Sequence, residues 1–302
     1  MLKVKLFGVE FENPVWTASG TFGFGLEYSP YVDLNRVGAV CVKGLSLKPR
    51  EGNEPPRIWE TPCGMLNAIG LQNPGVEYFL REIVPELKKY KCRVVANIYG
   101  STVEEYVAVA KEISGAEGVD AVELNISCPN VKKGGLAFGV DALEAARLTE
   151  EVKKVLDKPL IVKLSPNVTD PVGIARAIES AGADALSATN TLLGMAIDIR
   201  RRRPRLKNKF GGLSGPAIKP VALRIVYQVS RAVKIPVIGI GGISSWEDAV
   251  EFFLAGAIAV QVGTANFFNP KAVEEIVEGI ERYLREEGFR SIEEVVGALR
   301  ED

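Results

Sequence analysis

Eight short apolar runs rich in β-branched residues recur along this chain, each ending in a small or polar residue and followed by a segment of helical character. They cover residues 15–19, 39–43, 93–98 and 121–126, then 159–164, 185–189, 236–240 and 259–262. Runs that do not alternate have no solvent face, so they belong to parallel strands covered by helices. Helical spacing is clearest over 141–156 and 171–181. Eight such units in 302 residues predict an α/β protein folded as a (β/α)8 TIM barrel. A doubly wound sheet is the second reading, but it would gather its polar strand ends at one switch point, whereas here nearly every strand ends in one.

Residues 1–14 alternate apolar and charged positions, which predicts an N-terminal β-hairpin ahead of the first barrel strand. Two connections are too long for simple strand-to-helix links and read as inserts after strands 2 and 6: residues 45–75 and 192–215. The first holds four prolines before a glycine- and asparagine-rich piece; the second carries a basic run at 200–203. No change of composition marks a boundary, so residues 1–302 read as one domain. A formal net charge of −1 argues against nucleic acid as a partner. No apolar run reaches the roughly 20 residues of a membrane helix, and no signal-peptide pattern opens the chain. A cytoplasmic protein with reduced thiols is expected. Cys41, Cys63, Cys92 and Cys128 are far apart in sequence, so no zinc, iron–sulfur or other metal site is expected on this chain.

The chain contains no histidine, so proton transfer near neutral pH requires another base. The candidate is Cys128, in Asn125-Ile126-Ser127-Cys128-Pro129-Asn130, where a proline ends the strand and leaves a thiol at a strand-to-loop junction. Cys41 and Cys92 read as inert small hydrophobes and Cys63 as an incidental loop thiol. Glycines at 239, 241, 242 and 263 end strands seven and eight, the usual phosphate site of such barrels, and point to a phosphorylated ligand. Lys43 and Lys163 close strands two and five, where two fixed cations suit an electron-rich ring or its phosphate. Asn67, Asn97, Asn125, Asn130 and Asn190 occupy corresponding strand-end positions; carboxamides there suit a planar ligand with several donors and acceptors.

These pieces, with residues 18–23, 67–75 and 213–216, resemble the dihydroorotate dehydrogenase family nearly end to end, and within it the class 1B, NAD-linked catalytic subunit. The resemblance implies FMN-dependent oxidation of (S)-dihydroorotate to orotate, with Cys128 taking the C5 proton while C6 delivers hydride to flavin N5. It implies FMN contacts from Ser19, Lys43, Gly44, Asn97, Asn125, Lys163, Thr189, Gly215, Gly241, Gly242, Gly263 and Thr264. Substrate contacts carried over in the same way are Lys43, Asn67, Ala68, Ile69, Gly70, Leu71, Asn125, Asn130, Asn190 and Thr191. Cysteine rather than serine at the base position looks like class 1, and the 18–25 and 67–75 segments look like form 1B.

A thiol with a reference pKa of about 8.5 is only a few per cent ionised at pH 7, so a rate that rises with pH is expected. Since the chain lacks iron–sulfur spacing and a convincing dinucleotide fingerprint, electrons bound for NAD must leave through a partner. The resemblance implies an electron-transfer subunit carrying FAD and a [2Fe–2S] cluster, in a heterotetramer of two catalytic and two electron-transfer subunits. The basic run at 200–203 reads as a solvated loop. Competing readings are a dihydropyrimidine dehydrogenase-like flavoenzyme and a flavin-free phosphosugar lyase or isomerase, the latter leaving the cysteine and asparagines idle.

Overall fold

A computed structural model of the chain describes residues 1–126 and 136–300. All eight expected strands form, as β1 (Val15–Thr17), β2 (Ala39–Cys41), β3 (Arg93–Ile98), β4 (Ala121–Asn125), β5 (Leu160–Leu164), β6 (Ala185–Ala188), β7 (Val237–Ile240) and β8 (Ala259–Val262). Each pairs in parallel with the next, and β8 closes on β1 through Val260↔Val15 and Val262↔Thr17. A doubly wound sheet is thereby excluded. The strands beginning at Val15, Ala39, Ala121 and Ala185 end a residue or two before the apolar run does, so Ser19, Lys43 and Thr189 lie beyond the strand ends.

Helices cover the barrel where the sequence places a capping side chain before an apolar face. Thr102, Asp141, Asp170 and Ser245 accept from backbone N–H groups at the starts of Val103–Ile113, Ala142–Lys153, Pro171–Ser180 and Trp246–Leu254. The β1–β2 connection departs from the expected pattern, holding two 3-10 turns, Leu26–Tyr28 and Leu34–Arg36, instead of a helix. Gly23, Gly25 and Pro30 break helical continuity there. The long helix Ala272–Glu286, which follows β8, serves this side, with Glu278 bonded to Arg36 at 2.8 Å and Glu274 accepting from the Asp33 N–H.

The N-terminal hairpin is present, Val4–Leu6 against Val9–Phe11, turning at Phe7 and Gly8, which both have positive φ. It stacks Phe11 on Trp16 at 4.6 Å, both fully buried. The two inserts do not remain loops. Ile58–Thr61 and Gly64–Asn67 from the first join Phe210–Ser214 and Leu192–Met195 from the second in a four-stranded antiparallel sheet. Residues 200–203 belong to the connection and second strand of a small hairpin, Ile197–Asp198 with Arg203–Pro204, whose turn is fixed by Asp198 accepting from the N–H groups of Arg200 and Arg201. Among the described residues no helix is long and apolar enough to cross a membrane.

Candidate active site

A cavity of about 640 Å³ opens at the carboxyl ends of the barrel strands, under the four-stranded sheet. Its floor and walls come from strand ends, where a side chain is fixed by the sheet yet faces the barrel mouth. Ser19, Lys43, Gly44, Asn97, Asn125, Lys163 and Thr189 line it together. So do Gly241 and Gly242 after β7, Gly263 and Thr264 after β8, and Gly215 at the end of the second insert. Every residue expected to hold the cofactor therefore borders one space.

Asn67, Ile69, Gly70, Leu71, Asn190 and Thr191, expected at the substrate, border the same cavity. Ala68 does not. Strand alternation turns its side chain the other way, into a small apolar cluster with Leu66 and Leu206. Cys128 and Asn130 lie outside the described residues. Cys63, read as incidental, lines the cavity at the connection between strands Ile58–Thr61 and Gly64–Asn67, with a positive φ. Its sequence neighbours held no polar cluster; the sheet pairing brings it there.

The polar lining is interlocked. Asn190 Nδ2 donates to Asn125 Oδ1 at 3.2 Å, and Asn190 Oδ1 accepts from the Thr191 N–H at 2.8 Å, so two expected substrate ligands orient each other. Asn167 ties this loop to the insert sheet, donating to the Thr191 carbonyl and accepting from the Leu193 N–H. Thr264 Oγ1 donates to Ser214 Oγ at 2.7 Å, joining the β8 loop to the sheet above it. Gly242, with φ of +75°, lies so near the helix Lys219–Ser230 that a Cβ would stand 2.8 Å from the Lys219 backbone nitrogen. Packing alone therefore demands glycine there, whatever else its N–H does.

Beneath the floor is a group the sequence reading passed over. Glu123, on β4, is fully buried inside the barrel. Its Oε1 accepts from Asn97 Nδ2 at 2.7 Å, Lys163 Nζ at 3.3 Å and Cys41 Sγ at 3.4 Å; its Oε2 accepts from Ser187 Oγ and Gln261 Nε2, both at 2.8 Å. Burial pushes its carboxyl up, but the Lys163 ammonium and the bonds from Gln261, Ser187 and Asn97 outweigh this and hold it below the usual carboxylate range. The Cys41 thiol is pushed well up by burial and by the Glu123 carboxylate. It is part of a polar cluster and not simply a small hydrophobe. Burial likewise pushes the Cys92 thiol up to about 12. A glutamate inside the continuous apolar run Ala-Val-Glu-Leu-Asn was a usable signal, since a fully buried carboxylate requires a partner.

The lining fits a flavin mononucleotide in one specific respect. Asn97 Oδ1 is buried and has no hydrogen-bond partner in the protein, while its amide group is taken by Glu123. An acceptor of this kind beside Gly44 needs a donor from a ligand, because an unmatched buried carbonyl costs about 1–3 kcal/mol. The two lysines and the glycine loops border the same space. Among the described residues no group of histidine, cysteine or carboxylate side chains could hold a metal ion.

The family profile described as "Dihydroorotate dehydrogenase" matches residues 1–284. The chain is 61% identical over 297 residues to the "Dihydroorotate dehydrogenase B (NAD(+)), catalytic subunit" of Desulforamulus reducens, covering 98% of both chains. It is 55% identical over 301 residues to the protein of that name from Thermoanaerobacter sp., with 100% of this chain and 99% of the relative covered. The counterpart in Geobacter sp. is 57% identical over 298 residues, with 99% and 98% covered.

Proposed function

The chain belongs to the dihydroorotate dehydrogenase family, and from that premise we infer how its residues divide the work of oxidising (S)-dihydroorotate to orotate in pyrimidine biosynthesis. The observation that carries the reading is the meeting of Lys43, Lys163, Asn67, Asn97, Asn125 and Asn190 around one cavity, although they come from five strand ends and an insert. FMN bound here would supply the acceptor for the hydride that leaves C6 of the substrate. Lys163, Ser19, Asn97 and Gly44 hold the ring from the floor, and the loops at Gly241–Gly242 and Gly263–Thr264 hold its phosphate. Lys43, Asn67, Asn125, Asn190 and Thr191 orient the substrate, with the backbone from Ile69 to Leu71 closing over it. Charged and amide groups around one cavity suit a flat ring that carries a carboxylate and two amide edges. To Cys128, three residues beyond Asn125 in sequence, we assign removal of the C5 proton, and to Asn130 a further substrate contact.

The fate of the electrons follows from the relatives' shared description as a catalytic subunit. We assign to a partner subunit the FAD and [2Fe–2S] cluster that pass electrons to NAD, in a cytoplasmic assembly of two catalytic and two electron-transfer chains. The purified chain tests both halves. Its visible spectrum should show flavin bands that bleach when dihydroorotate is added anaerobically, and dihydrouracil should leave them unchanged. A colourless chain would remove the flavin, and rapid NAD reduction by this chain alone would remove the partner.

A further inference from the structure

We infer that Glu123 is a positioning residue for this reaction: from below the cavity floor it fixes the Lys163 ammonium and turns the Asn97 carboxamide so that its oxygen is presented to the cofactor. The inference rests on the reading of the cavity as an FMN site. Five donors from five strands converge on this one carboxylate, Cys41 from β2, Asn97 from β3, Lys163 from β5, Ser187 from β6 and Gln261 from β8. Three of the five, Cys41, Ser187 and Gln261, do not line the cavity, whereas Asn97 and Lys163 do. The cluster therefore has a buried side that ties the barrel together and a working side that faces the ligand.

The direction of control follows from donor and acceptor inventory. An ionised carboxylate only accepts, so it compels Asn97 to turn its NH2 group inward and its Oδ1 outward beside Gly44. It also supplies the counter-charge for Lys163, which is 4% exposed and donates to Ser19 Oγ at 3.2 Å as well. Without that charge, burial favours the neutral amine. Among the described residues, the titratable and charged groups around the Lys163 ammonium include Glu123 on β4 and the Cys41 thiol on β2, with Lys43 on the same cavity. Glu123 is thus the anion that keeps a cation where electron density builds on the ring.

Glu123→Gln separates this role from mere packing. The new amide has the same shape, and its NH2 group can replace Oε2, because Ser187 can rotate its hydroxyl to accept and Gln261 can turn its otherwise unpartnered Oε1 toward it. FMN bound to the chain is titrated for its midpoint potential from pH 6 to 9 in the parent, Glu123→Gln, Glu123→Asp, Lys163→Gln and the Glu123→Gln/Lys163→Gln pair. Glu123→Gln should add a break to the curve, with the potential falling more steeply with pH as the ammonium loses its proton. Glu123→Asp, which keeps the charge, should show no break, and in the Lys163→Gln background Glu123→Gln should change nothing. Superimposable parent and Glu123→Gln curves, or the same break without Lys163, would overturn the inference. A parent chain that fails to quench FMN fluorescence overturns the cavity reading and this inference together, and does so before any substitution is compared.

Discussion

The floor and the roof of the cavity are built by opposite means. The floor consists of parallel strand ends whose polar groups are buried and bonded to one another, with Glu123 at their centre. The roof is an antiparallel sheet assembled from two inserts more than a hundred residues apart. It leaves Ile58, Trp59, Leu193, Met195 and Phe210 exposed, and it is tied to the floor by links such as Thr264 to Ser214. A barrel fixes groups that must not move relative to a ring; a sheet grafted above it closes over a substrate that must enter and leave. Substitutions in the floor should therefore change chemistry and global stability, and those in the roof should change substrate affinity.

The largest break is expected at Cys128, three residues in sequence beyond the floor strand's Asn125. Alanine there should slow flavin reduction by dihydroorotate by roughly 10²–10⁴-fold, the usual worth of a positioned base, with FMN still bound. Stopped-flow absorbance reads both quantities. In the parent the same rate should climb between pH 6 and 9 as the thiol ionises; a flat profile would take the base role from Cys128.

Next in size is the stability of the floor. Glu123→Gln removes the charge that Glu123 sets against the Lys163 ammonium and should cost about 3–5 kcal/mol in urea unfolding at pH 7. The parent's own dependence has the opposite origin. Because the Glu123 carboxyl is held below its ordinary value, its contribution is complete above the unfolded-state value of about 4.3 and is lost as the pH falls through the lower folded value. The parent should therefore lose stability more steeply than Glu123→Gln below about pH 4. Equal slopes would mean that the carboxylate is not ionised in the folded chain.

The same contrast decides what could be read from the sequence. Strands β1 to β8 were legible because each is buried on both faces and so runs apolar without interruption. The cavity lining was legible wherever a polar residue ends such a run, as at Lys43, Asn97, Asn125 and Lys163. The roof was not, because Ile58–Thr61 pairs with Gly64–Asn67, which pairs in turn with Phe210–Ser214, a register that depends on contacts 145 residues apart, as between Asn67 and Gly212. Ala68 is a substrate contact only by the resemblance, which carries over 67–71 as a run, and the pleat turns its side chain away from the cavity. Glu123 ends no apolar run, since it lies in the middle of a strand.

The smaller effects belong to the roof. At Gly64 a Cβ would stand 2.2 Å from the Ser214 carbonyl oxygen, a backbone atom that cannot yield without unpairing the two strands. Gly64→Ala should cost about 1–3 kcal/mol of local packing and raise KM for dihydroorotate about tenfold while kcat stays within about twofold. A fall in kcat with KM unchanged would place this contact in the chemistry instead of the closure.

The outer edge of the roof should matter least. Arg205 lies 4.2 Å from the centre of the Trp59 ring and bonds Asp198 Oδ2 at 2.8 Å, so it pins the small hairpin carrying residues 200–203 onto the first strand of the sheet. Trp59 is more than a third exposed, and solvent weakens both interactions. Arg205→Ala should lower stability by about 0.5–1 kcal/mol, leaving kcat and KM unchanged. If it instead raised KM as far as Gly64→Ala does, the hairpin would have to be counted with the sheet that closes the site. The boundary between roof and surface would then lie farther out than the cavity lining indicates.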